Sequence, residues 1–256
     1  MRILTLLLLL PTLLVGQDKK TPRSLYRLTV YSYKTVSQGE AIDLYLGSAY
    51  VPALHRRGVK QVGVFKDLAN DTSLVKKIYV LVPFRDLDEM IALDAAVMED
   101  KEVLATGAAY INAEPDMAPY ARQESILMRA FRFAPQMTRT AVKGPRDQRV
   151  YELRSYESPT EKKYLNKVHM FNEGGEIPLF KRLGFNAVFY ADVISGAHMP
   201  NLMYMTPFEN MADREAHWKA FVDDAEWKSL SSRPEYQKNV SRADIMFLRP
   251  MAYSDY

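Results

Sequence analysis

The chain has no cysteine, and only two tryptophans and eleven glycines stand among its 256 residues. Without cysteine there are no disulfides, no thiol nucleophile, no thiolate metal site and no lipoprotein anchor. The charge balance excludes more. A net charge of +3 with no basic run offers nothing for nucleic acid to grip. No P-loop, dinucleotide glycine fingerprint, HExxH or GxSxG motif occurs. Beyond the N-terminus no apolar run approaches the ~18 residues a membrane helix requires, so the protein is not expected to span a membrane.

What is present begins with a leader. Residues 1–17, MRILTLLLLLPTLLVGQ, place Arg2 before an apolar run, with Pro11 and the small Gly16 after it. This pattern predicts a secretory signal peptide cut near Gly16 or Gln17, and hence a secreted or periplasmic protein. A mitochondrial presequence would be amphipathic and Arg-rich instead. An exported chain without disulfides needs a sizeable core, and the hydrophobic content of 48% can supply one.

The remainder is written twice. YRLTVY (26–31) parallels YELRSY (151–156), and VPALHRRGVKQVGV (51–64) parallels IPLFKRLGFNAVFY (177–190). IYVLVPF (78–84) parallels LMYMTPF (202–208), and AVMEDKEV (96–103) then falls on AFVDDAEW (220–227). Each copy reads strand, helix, strand, strand, helix, strand, the ferredoxin-like βαββαβ pattern. The predicted strands are 25–34, 59–66, 76–84 and 125–134, then 149–157, 185–192, 201–208 and 243–250. The helices are 38–57, 86–107, 160–183 and 210–231. Two domains follow, 24–135 and 149–256, joined by the aperiodic, Pro- and Gly-containing segment 135–149.

The tryptophans bear on the last helix. Trp218 and Trp227 are nine positions apart, about two and a half turns, so on one straight helix they would face opposite sides. A break resolves this: Asp223 as the cap of a new helix, Glu226 completing a capping box, and Val222 with Trp227 as a hydrophobic staple. Packing and a staple account for both rings more simply than an aromatic ligand cage does.

Periodicity arranges the layers. On the first strand Leu28 and Val30 oppose Arg27, Thr29, Tyr31 and Tyr33; on its counterpart Tyr151 and Leu153 oppose Glu152, Arg154 and Tyr156. The apolar face suits the helices. IYVLV, LMYM and DIMFL are apolar at nearly every position, so both of their faces are covered. The two sheets then cover each other, and the expected fold is α+β: two tandem ferredoxin-like units packed as a barrel within one chain. On this reading Glu152, Arg154, Tyr31 and Tyr156 lie near the interior or rim.

VYELRSY (150–156), IPLFKRLGF (177–185) and the DDAEWKSL run with Trp227 resemble the NIPSNAP family. The resemblance covers nearly all of the second copy. The first copy departs from it: Arg27 and Thr29 stand at the places of Glu152 and Arg154, and Val103 at that of Trp227. The family is similar to the dimeric α+β barrel superfamily, which implies paired ferredoxin-like units. It is best known from mitochondrial and vesicle-associated proteins with no agreed enzymatic activity, and a secretory leader departs from the mitochondrial members.

Candidate chemistry is sparse. Glu152, Arg154 and Tyr156 share one strand face; Arg could hold a carboxylate or enolate, and Tyr could donate a hydrogen bond or pass a proton. An ion pair that sets how the sheets meet is the plainer account. Tyr31 and Tyr204 are further candidates to line a ligand pocket. His169 and Glu173, at i, i+4 with Glu176 following, have a metal-like spacing, yet a closed site needs three or four ligands, and Gly174-Gly175 ends the helix there. No metal and no cofactor are expected. Small-ligand or partner binding through the barrel is the leading function, and a homo-oligomer is compatible with it. The resemblance to the barrel superfamily implies the alternatives: a cofactor-independent monooxygenase or isomerase, and a haem-binding barrel with His169 as axial ligand.

Overall fold

A computed structural model describes residues 21–256, so the expected leader lies outside the described residues. The first half contains β1 (Leu25–Tyr33), α1 (Val36–Tyr45), α2 (Val51–Arg56), β2 (Gly63–Asp67), β3 (Lys76–Phe84), α3 (Leu87–Met98), α4 (Lys101–Thr106), α5 (Ala108–Ile111) and β4 (Arg122–Ala130). The second contains β5 (Val150–Glu157), α6 (Glu161–Phe171), α7 (Glu176–Arg182), β6 (Phe189–Ser195), β7 (Asn201–Phe208), α8 (Met211–Asp223), α9 (Ala225–Ser231) and β8 (Arg242–Pro250). A π-helical turn at Leu46–Tyr50 joins α1 to α2. Strands β2 and β6 begin later than their patterns suggest. The chain first turns at Gly58 and Gly184, whose φ of 87° and 81° end the preceding helices in the left-handed region.

The eight strands close into one antiparallel barrel in the order β1-β3-β2-β8-β5-β7-β6-β4. Both halves therefore have the ferredoxin-like order, with the fourth strand beside the first and the third between first and second. The halves meet at two matching seams. One pairs β2 with β8, opposing Lys66 to Arg249. The other pairs β4 with β6, opposing Ala130 to Ala191, and carries an irregularity between Leu127 and Met128. Closure leaves neither half a free sheet edge.

Both faces of the inner strands are buried, as their composition predicts. On β3, Tyr79 and Leu81 point into the barrel while Ile78, Val80 and Val82 pack under the helices. The faces of the first strands are the reverse of the expected arrangement. Tyr26, Leu28 and Val30 fill the barrel with Tyr151 and Leu153, while Tyr31 and Tyr33 lie beneath the helices. The reason is volume and solvation. An eight-stranded barrel is only just wide enough for its own side chains. Aromatic pairs such as Phe65 with Tyr151, 4.9 Å between centroids, and Tyr26 with Phe189, 5.6 Å, occupy it. The layer between sheet and helices holds cavities, and charged strand residues find ion-pair partners on the helices there.

The helix breaks appear in both halves, one residue later than predicted. The cap of α9 is Asp224, whose carboxylate accepts from the Glu226 and Trp227 backbone N–H groups. Asp100 does the same at α4 for Glu102 and Val103. With Asp224 as cap, Glu226 sits too early for a capping box, and Val222 with Trp227 no longer forms the staple pair. Instead Arg182 holds both Asp224 and Glu226, each at 2.9 Å, and Arg56 likewise reaches Asp100 and Glu102. Trp227 turns inward onto Phe221, 4.3 Å between ring centroids.

Candidate functional site

In the second half a cavity of about 480 Å³ opens between the outer face of the sheet and the helices. Strand β5 builds its floor. Glu152, Arg154 and Tyr156 alternate with the barrel-filling Tyr151 and Leu153, so strand periodicity puts all three on the helix side. Glu152 is fully buried. It is held by four donors: Arg154 Nε, Arg214 Nε at 2.7 Å and Nη2 at 3.4 Å, and the Trp218 indole N–H at 2.8 Å. Arg214 and Trp218 stand at i, i+4 on α8, one face of one helix, so a single carboxylate pins α8 to the sheet.

Arg154 is fixed in turn. Its guanidinium lies 3.7 Å from the centre of the Trp218 ring, and Nη1 donates to the Tyr156 hydroxyl at 2.7 Å. The Tyr156 and Tyr204 hydroxyls are 2.9 Å apart. Burial pushes the Tyr204 phenol well above its usual value, so it stays protonated. Helix α6 adds Lys167, whose Nζ donates to Glu176 Oε2 at 2.8 Å from the start of α7. Burial pushes the Glu176 carboxyl up although Lys167 pulls the other way. Arg154, Lys167 and Arg214 thus line the cavity with Glu176 as the one lining carboxylate, and Glu152 lies behind them. A surplus of one positive charge faces the cavity. Glu215, which also reaches Arg214, does so from an exposed position.

Of the sequence candidates, Arg154, Tyr156 and Tyr204 line this cavity, and Glu152 assembles it from behind. Tyr31 lines the equivalent place in the other half. His169 belongs to neither. Its Nδ1 meets the Tyr236 hydroxyl at 2.8 Å, and its ring lies 6.0 Å from that of Tyr236. Among the described residues no three His, Asp or Glu side chains converge as a metal site would require. His217 packs on Phe185, 5.4 Å between rings. Sequence reasoning missed Arg214, Lys167 and the role of Trp218. Two signals were there: Arg214 and Trp218 at helical spacing, and Lys167 at i, i+3, i+4 with the core residues Met170 and Phe171.

A closed antiparallel barrel of two βαββαβ units with its helices outside is a dimeric α+β barrel contained in one chain. Residues 151–255, nearly the whole of the second half, match the NIPSNAP family model. A candidate monooxygenase from Lactobacillus acidophilus NCFM is similar over 89% of this chain and 94% of its own, with a TM-score of 0.58 at 13% identity. A second candidate monooxygenase, from Fusobacterium nucleatum subsp. nucleatum, covers 89% and 92%, with a TM-score of 0.55 at 9% identity. A NIPSNAP-like domain protein from Burkholderia xenovorans covers 42% of this chain and 90% of its own, with a TM-score of 0.38 at 18% identity. At these identities the likeness is one of fold. No curated protein matches the sequence.

Two predictions follow from the geometry. Glu152→Ala strands two guanidinium groups and an indole N–H, and denaturant unfolding should show a loss of about 3–5 kcal/mol. A loss under about 1 kcal/mol would mean that solvent already satisfies these groups. The second concerns alkali. The folded state raises the Tyr204 phenol above its ordinary 10.0, so the stability this group contributes is complete below pH 10 and declines as pH rises beyond it. Stability measured against pH should therefore shift in favour of Tyr204→Phe above pH 10; parallel curves for the two proteins would contradict the burial argument.

Proposed function

We propose that this is an exported barrel protein that binds a small organic anion in the cavity of its second half. The carrying observation is Arg154: locked by Glu152, Tyr156 and the Trp218 ring, it lines the cavity with guanidinium donors to spare. Two lining tryptophans and Phe221 supply an apolar, aromatic wall, and the Tyr156–Tyr204 hydroxyl pair adds a polar edge. Such a wall beside a preorganised cation suits a planar or aromatic body bearing a carboxylate or enolate. The volume lies within the range of small-molecule sites, ~300–1,000 Å³. The matching topology and helix caps of the halves support reading the chain as two copies of one ancestral unit.

A second reading, enolisation or isomerisation, draws on Glu176. A buried carboxyl with a raised pKa beside Arg154 is suited to general-base work. It would take a proton from the carbon next to a carbonyl, the electron pair moving onto the carbonyl oxygen, where Arg154 and Tyr156 stabilise the charge. The monooxygenase descriptions of the structural neighbours belong to those proteins and support this reading only as analogy.

Trp218 and Trp227 are the chain's two tryptophans and both line the cavity, so intrinsic emission reports its occupancy. Benzoate and phenylpyruvate should change that emission saturably, benzamide should not, and Arg154→Met should weaken binding at least ~10-fold. Equal binding of benzamide, or none of either acid, would refute the anion site. If Glu176 is a base, bound phenylpyruvate exchanges its methylene protons in deuterated water faster than free ligand, and Glu176→Gln removes the acceleration. Export rests on the leader composition of residues 1–17. The mass of the protein recovered from its native cell should correspond to a chain starting near Gly16 or Gln17; an intact Met1 would refute export by cleavage.

A further inference from the structure

The first half holds a cavity of about 420 Å³ at the equivalent place, between its sheet and α3. Its chemistry differs from that of the second half. Arg27 and Thr29 replace Glu152 and Arg154, Tyr31 matches Tyr156, and Asp94 on α3 stands where α8 has Trp218. Arg27 donates to both Asp94 oxygens, Nη1 to Oδ2 at 2.5 Å and Nη2 to Oδ1 at 2.7 Å. These are the only charged side chains lining the cavity among the described residues, and they cancel. The second-half cavity keeps a surplus cation; this one is neutral.

Hydroxyl groups take the place of charge. Tyr31, Tyr45, Tyr50, Tyr110 and Tyr120 all line the space. Burial pushes Tyr31 up to about 12 and raises Tyr45, Tyr50 and Tyr110 as well. As neutral phenols each can both donate and accept. The Tyr50 hydroxyl accepts from Arg27 Nη2 at 3.1 Å, and the Tyr31 hydroxyl from Gln123 Nε2 at 3.4 Å. Thr29 and Ser125 add two aliphatic hydroxyls. The rings themselves are braced. Tyr45 and Tyr110 stack 4.0 Å apart and within 2° of parallel, and Tyr120 lies 5.6 Å from Tyr31. Arg27 Nε is buried with no hydrogen-bond partner among the described residues.

Apolar packing alone would be served better by phenylalanine, because each hydroxyl withdrawn from water without a full set of partners is a cost. Phenols gathered around a shared, uncharged space suit a ligand that brings its own hydroxyls. We propose that this cavity is a second ligand site, for an uncharged polyhydroxylated ring of mono- to disaccharide size. Ring hydroxyls meet the phenol, Thr29, Ser125 and Gln123 groups, and the ring's C–H face lies against the tyrosine rings. Asp94 already neutralises Arg27, so a carboxylate or phosphate finds no surplus positive charge there.

The test is saturation-transfer NMR on the whole chain with methyl glucopyranoside, maltose, cellobiose and myo-inositol, and glucuronate as the charged comparison. At least one uncharged ligand should bind, at least ~10-fold tighter than glucuronate. Its binding should fall about 10-fold in the Tyr31→Phe/Tyr110→Phe double variant, which keeps the rings and removes two hydroxyls. Tryptophan emission should stay unchanged, since both tryptophans lie in the other half. Binding of none of the four, equal binding of glucuronate, full retention in the double variant, or a saccharide-induced change in tryptophan emission would each overturn the proposal.

Discussion

The second half is organised around one buried carboxylate. Glu152 has no exposure, and a bare charge in that position would be untenable. Two guanidinium groups and an indole N–H make it stable, and satisfying it fixes everything around it. Arg214 and Trp218 bring α8 onto the sheet. The Arg154 guanidinium sits over the Trp218 ring, and Arg154 lines the cavity. Tyr156 and Tyr204 are ordered through Arg154 in turn. The charge that is costly to bury thus preorganises the groups that can meet a ligand.

Barrel closure decides where that ligand can be. The interior is packed by aromatic and aliphatic side chains from both halves, so small-molecule space lies outside, between sheet and helices. Two cavities among the described residues lie at equivalent places there, and the ion pairs that brace them are inverted. In the second half the acid is on the strand and the base on the helix, Glu152 with Arg214; in the first the base is on the strand and the acid on the helix, Arg27 with Asp94. The same fold element therefore holds a cavity with surplus positive charge on one side of the molecule and a neutral, hydroxyl-rich one on the other.

The architecture was legible in the sequence because repetition and periodicity are local signals. The doubled Pro–Gly blocks, the two-sided apolar strands IYVLV and LMYM, and the paired helix breaks all map onto observed elements. The direction in which β1 and β5 face was not legible. Leu28 and Leu153 suit a helix layer and a barrel interior equally, and only the closed barrel's need for filling decides between them. Glu152, Arg154, Tyr156 and Tyr204 could be grouped because three share a strand and the fourth a neighbouring one. Arg214, Lys167 and Glu176 could not, since their convergence depends on how helices settle over the sheet. His169 lies outside both cavities, and its partner Tyr236 lies far along the chain.

The central claim is that the cavity beside both tryptophans presents net positive charge to solvent. Collisional quenching of tryptophan emission by iodide and by caesium measures this without any ligand. With each ion scaled to its quenching of free N-acetyltryptophanamide, the account predicts that iodide quenches the more strongly, with the difference shrinking as salt screens the field. Equal scaled quenching by the two ions, or stronger scaled quenching by caesium, would contradict it.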